Sequence, residues 1–282
     1  MTTASPVTPA RAPAAVSGRR AGFGHLLLAE WTKIRSVRST VWTLILFVVL
    51  TIGLTAGLTA LIVASWNRGR GGGGAHATIA ADPVAFILGA GIDLGQLTIC
   101  VLGVLLITAE YSTGVIRASL LAVPQRIPML AAKATVFAGL LIVLAEIVAF
   151  GSFLVGSALL HSRVPVALGD PGVTRAVIGA GLYLTVLGLF ALAVGALIRH
   201  TAGAVTTVIG IVFVLPILAG LLPGNWGAHV NAYLPEQAGL LITHAQQLPG
   251  DLLSPWQGFG VLCIWTALLL SAAAYLLRRR DA

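Results

Sequence analysis

"FGHLLLAEWTKIRSVRSTVWTLILFVVLTIGLTAGLTALIV", residues 23–63, changes character once, near residue 40. Before that point Phe23, Leu27, Trp31 and Ile34 recur at intervals of four, four and three, the spacing that lines one face of a helix. Glu30, Lys33 and Arg35 project elsewhere on that helix. After it, residues 41–63 hold no charged side chain. About 20 helical residues at about 1.5 Å each cross a hydrocarbon core, so this run is long enough to span one. The pattern predicts an amphipathic helix over 22–39, lying flat in a membrane interface with Trp31 at headgroup depth and its cations near the phosphates. That helix is either an anchor for the span that follows or a lever moved by a partner.

Five more runs of similar length follow, over 86–108, 134–159, 176–198, 204–222 and 258–277. The 282 residues are 57% hydrophobic and 9% charged, with a mean hydropathy of +0.97, which excludes a water-soluble domain. A closed barrel would show alternating segments of about ten residues, and none is visible. Inside lipid each backbone group must then find its partner within its own helix. The expectation is an all-α integral membrane protein, with a disordered tail over 1–21, the interfacial helix over 22–39 and a six-span domain over 40–282.

Charge sets the expected orientation. With the amino terminus inside, only Arg68, Arg70, Arg163 and Arg175 fall outside, and the other 13 of the 17 Lys and Arg residues are cytoplasmic. Residues 223–257 carry no Lys or Arg, as suits an outer loop. Both termini are therefore expected in the cytoplasm, with the chain in the cell membrane. The net charge of +8 follows from this bias and from contact with anionic membrane lipids. Nucleic-acid binding is not expected, since no basic stripe interleaved with aromatics occurs. A cleaved signal peptide is not expected either, because the first apolar run starts about forty residues in and is long enough to span. Arg19 and Arg20 lack the short apolar region and cleavage site of a twin-arginine signal. Cys100 and Cys263 fall inside spans, with no metal or disulfide spacing.

Between the second and third runs lies "TAEYSTGVIRASLLAVPQRIPMLAAK", residues 108–133. Ser112 or Thr113 suits the cap of a short helix, and Ile116, Leu120 and Val123 follow on one face, ended by Pro124 and Pro128. An apolar face without a core of its own invites a docking partner. "LLLAEWTKIRSVRSTVW" together with "ITAEYSTGVIRASLLAVPQRIPMLAAK" resembles the membrane subunits of ATP-binding cassette transporters of the second, exporter-type permease class. The resemblance covers about 110 residues, and the six-run hydropathy agrees with it. It implies that the first helix is a connecting helix and that the 108–133 connection carries a coupling helix touching a soluble ATPase subunit. The family positions fall on Glu110, Tyr111, Gly114 and Arg117; Ile116, Leu120 and Val123 would form the docking face. Ser112 and Val115 depart from the basic residue and Thr common in relatives.

By the same resemblance, ATP and Mg would be bound by the partner ATPase, and a second permease subunit, identical or not, would complete the path. The cargo is not implied, because the class exports drugs, peptides, lipids and polysaccharides. The chain itself holds no G-x-x-x-x-G-K-[ST] cradle, so no catalytic, cofactor-binding or metal-binding residue is expected in it. "RGRGGGGAHA", residues 68–77, lacks the Lys of that cradle and reads as a flexible outer loop.

Polar residues inside the runs are few. Glu146 is the only acid deep in a run, and a lone charge at that depth is costly. Glu146 and Tyr183 are the candidates for lining a translocation path, with helix packing as the alternative. Thr206 and Thr207 read as packing groups, Asp93 and Gln96 as solvent-facing, and Pro216 as a kink. In the outer segment, Pro235 can start a helix whose face carries Leu240, Leu241 and His244, resembling the short helices that cap the exit in this permease class. His229 and His244 lack a third metal ligand nearby. An intramembrane enzyme would need paired catalytic groups, which Glu146 alone does not supply. The rival classes are a secondary transporter or channel that needs no ATPase, and a membrane sensor or immunity protein that only binds its target.

Overall fold

All six apolar runs fold as helices, and the fifth carries its irregularity where proline demands it. The computed structural model describes residues 22–68, 73–114, 126–223, 225–248 and 250–279, and among them there is no strand. The tail over 1–21 and the docking residues Ile116, Arg117, Leu120 and Val123 lie outside the described residues. In chain order the helices are α1 (Phe23–Ser36), α2 (Arg38–Asn67), α3 (Gly73–Ala81), α4 (Pro83–Ser112), α5 (Arg126–Leu160), α6 (Val173–Ile198), α7 (Thr201–Gly220), α8 (Trp226–Ala232), α9 (Pro235–Leu240) and α10 (Pro255–Arg279). Six of them, α2, α4, α5, α6, α7 and α10, are long and apolar enough to cross a membrane.

Several helices outrun the apolar sequence that predicted them. With 35 residues, α5 is about 50 Å long against a hydrocarbon core of about 30 Å, so its first turns, Lys133 among them, need not sit in lipid. α3 replaces part of the expected loop: Gly73 onward is helical, and His76 stacks on Trp66 at 4.3 Å. In α7 the turn Gly210–Val214 is π-helical, with Leu215 N–H donating to the carbonyl of Gly210. Pro216, just beyond, has no N–H and its ring would strike the carbonyl four residues back; a widened turn relieves both conflicts. Thr206 and Thr207 are exposed rather than packed against a neighbour.

α6 is the hub. Of its apolar window 78% is buried, against 22% for α2 and for α10, and it packs on α4, α5 and α10. Gly181, Gly188 and Gly195 recur every seven residues on it, and each lets a neighbour come close: the Glu146 side chain at Gly181, Leu141 and Ile99 at Gly188, and Val104 with Ile107 at Gly195. Small residues permit such approach where lipid offers no hydrophobic drive between helices. In exchange Gly103 of α4 lies on the Gly188 carbonyl.

At the end remote from α1, the segment after α7 folds back into the bundle. Pro235 opens α9 as expected, but the buried face is Pro235, Glu236, Ala238 and Gly239, continuing into Ile242 and Thr243, and not Leu240, Leu241 and His244. Arg175 of α6 donates to the carbonyls of His244 and Ala245 at 2.8 and 2.9 Å, and His244 Nδ1 lies 3.0 Å from Asp82 Oδ2. These contacts tie the segment to the starts of α4 and α6.

Candidate functional site

Four charged side chains from α1, α4 and α5 meet at one end of the bundle. Helical spacing puts Leu26, Glu30 and Ile34 on one face of α1, and that face is buried. It lies one residue round from the expected face: Ile34 belongs to it, Leu27 is half-buried, and Phe23 and Trp31 are exposed. Glu30 therefore points into the protein, where the sequence reading had it project away. The reason is a cation on α5. Lys133 Nζ donates to Glu30 Oε2 at 2.6 Å and to Glu110 Oε1 at 2.9 Å, while Lys33 Nζ donates to Glu30 Oε1 at 2.7 Å and to Glu110 Oε1 at 3.1 Å.

Two acids and two ammonium groups thus close a quartet across three helices, with Lys133 and Glu30 almost wholly enclosed. Burial by itself would raise the Glu30 carboxyl, but the charge and hydrogen bond of Lys133, with help from Lys33, outweigh it and hold the carboxyl below its ordinary value. For Lys33 burial works downward, and the two carboxylates more than reverse it, so its ammonium titrates above the usual lysine range. Both shifts favour the ionised forms of Glu30 and Lys33 at neutral pH.

Of the expected coupling residues, Glu110 is a member of this quartet. Tyr111 lies under the Arg199 guanidinium, 5.2 Å from ring centre to Cζ, which joins the end of α4 to the end of α6. Gly114 has φ +71, a left-handed conformation that stops α4. Ser112 and Thr113 donate back to the Ala109 carbonyl and finish α4; the helix that one of them was expected to cap lies outside the described residues. Pro128 sits in the first turn of α5, where its missing N–H costs nothing.

The two path candidates are separated. Glu146 of α5 rests on Gly181, and its buried Oε2 has no hydrogen-bond partner. Tyr183 is only two residues from Gly181 on α6, but two residues turn a helix by about 200°, so it faces the other way. It is fully buried and donates to Gln96 Oε1 at 2.5 Å. Gln96 is buried, not solvent-facing, whereas Asp93 is exposed.

Near this pair lies Glu236 of α9, buried, with Gln237 donating to Oε2 at 2.6 Å. Burial first, and the charge of Asp93 to a lesser degree, push its carboxyl up to about 7, against hydrogen bonds from Gln237 and Gln96 that pull downward. A carboxyl with a native pKa of about 7 against an unfolded value near 4.5 holds its proton better when folded, so stability is full below 4.5 and falls as pH rises through 7. Glu236→Gln should reduce that slope: unfolding temperature measured from pH 4.5 to 8 is expected to fall more steeply in the parent than in the variant. An equal slope in both would show that Glu236 is not the group responsible.

Sequence reasoning missed Lys133 and Glu30 as site residues, and Glu236 with Gln96. The signal for the first pair was available, since Lys133 interrupts "MLAAKATVF" and Glu30 sits in phase with Leu26 and Ile34. Among the described residues no group of three His, Cys, Asp or Glu side chains is placed to hold a metal. The chain matches no protein-family model and no curated protein.

Proposed function

We propose that this chain is the permease subunit of an ATP-binding cassette exporter, with both termini in the cytoplasm and α1 in the cytoplasmic interface of the cell membrane. A soluble ATPase subunit binds ATP and Mg, and a second permease subunit, identical or not, completes the path. The observation that carries this reading is the quartet. It fastens α1 to the end of α4 and the start of α5, the two helices between which the connection over 115–125 runs. A push received on that connection would then reach α1, α4 and α5 as one body, since buried, charge-assisted hydrogen bonds resist being stretched. Tyr111 and Arg199 extend the same body to α6.

The test uses the docking face inferred from sequence. Replacing Leu120 and Val123 together with Asp is expected to leave a membrane-inserted protein that no longer co-purifies with its ATPase, or binds it with hydrolysis uncoupled from transport. Normal binding and normal transport by the double variant would refute the assignment.

A further inference from the structure

Beside the quartet, the start of α2 and the last turns of α4 enclose a cavity of about 430 Å³, within the range of small-ligand sites. All four charged residues reach its wall. The remainder combines the hydroxyls of Ser39 and Thr40 with the apolar side chains of Leu102, Leu105 and Leu106. A lone cation or a lone anion placed here would leave unbalanced charge beside two acids and two ammonium groups, whereas a zwitterion would not.

Hydrogen-bonding capacity is left over on both signs. Glu110 Oε2 is buried without a donor, and Glu110 is one of the residues at the cavity wall. Lys33 uses two of its three N–H donors on Glu30 and Glu110, and its side chain is 36% exposed. The apolar wall leads outward: Leu105 is part-exposed, and Val41, Trp42 and Ile45 of α2 are bare on the outer surface.

We propose that this cavity binds the headgroup of a phospholipid carrying a primary ammonium and a phosphate, drawn from the leaflet at the α1 end. The ammonium donates to Glu110, the phosphate takes the third donor of Lys33, and the acyl chains leave past Leu105 onto the exposed apolar surface. A trimethylammonium headgroup has no N–H to give, and an anionic headgroup without an amine leaves Glu110 unanswered. The proposal requires a bilayer and does not depend on the ATPase reading.

The experiment offers the detergent-purified full chain equal amounts of phosphatidylethanolamine, phosphatidylcholine and phosphatidylglycerol with identical acyl chains, and counts retained lipid by native mass spectrometry. Phosphatidylethanolamine is expected to be retained about tenfold over phosphatidylcholine, the ratio that one hydrogen bond to a charged group supplies. Leu105→Trp, which adds bulk at the cavity wall from a part-exposed position and leaves the four charged residues unchanged in sequence, should abolish the preference; Ser39→Trp tests the same wall should the first variant not fold. Equal retention of the three lipids, preference for phosphatidylglycerol, or a preference that survives filling would overturn the proposal. Displacement of the lipid by an equal concentration of soluble phosphoethanolamine would overturn the lipid as ligand.

Discussion

Lys133→Met is expected to destabilise the protein by about 3–5 kcal/mol, the loss seen when one partner of a buried ion network is removed and its opposite charges stay behind. The side chain of Lys133 is only 2% exposed and that of Glu30 4%, so water cannot replace the lost ammonium. Met keeps the length of the stem and deletes the charge, which isolates the electrostatic effect. The measurement is thermal unfolding of the purified chain in detergent. Adding Glu30→Gln to the same chain should recover most of the loss, because Lys33 and Glu110 then remain as a balanced pair. A Lys133→Met protein as stable as the parent would show that the quartet contributes nothing, and recovery failing in the double variant would point to packing rather than charge.

Gly103→Val should be strongly damaging in the interior of the spans. A Cβ built at Gly103 would run into the carbonyl oxygen of Gly188 and stand 3.1 Å from both Ala191 Cβ and Leu192 N. Two of these are backbone atoms of the central helix and cannot swing aside, so α4 and α6 must separate, at a cost of about 3 kcal/mol or more. Gly139→Ala on α5 is the contrast, since nothing lies within 4 Å of its added methyl. Its unfolding should match the parent to within about 0.5 kcal/mol. Similar behaviour of the two variants would mean that the close approach of α4 to α6 does not limit stability.

The six spans were legible because uninterrupted apolar length is nearly sufficient evidence for a membrane-crossing helix, and the structure places a helix on each. Ends were not: α4 runs on to Ser112 and α5 begins at Arg126, because polar residues extend a helix once its apolar part is fixed. Pro216 was legible as an irregularity, although whether it kinks a helix or widens a turn depends on the neighbouring carbonyls. The candidate site was legible only in part. Glu110 was singled out by resemblance, but its partners are 77 and 23 residues away, and no local pattern encodes such pairing. Glu30 was misplaced for the same reason: an acid on a helix reads as solvent-facing unless the cation that buries it is known. Gln96 and Glu236 follow suit, each depending on how α9 folds back against α6.

The balance of formal charge within the quartet also bears on the membrane voltage. Moving one unpaired elementary charge across the full potential involves about 2.3 kcal/mol per 100 mV. Glu30, Lys33, Glu110 and Lys133 sum to zero formal charge, so the quartet adds nothing to the charge that the fastened helices carry through Arg35 and Arg199. In a shift of that body toward or away from the bilayer centre the four quartet charges would do no first-order work against the field, and the work would be done by the arginines beside them, Arg35 and Arg199.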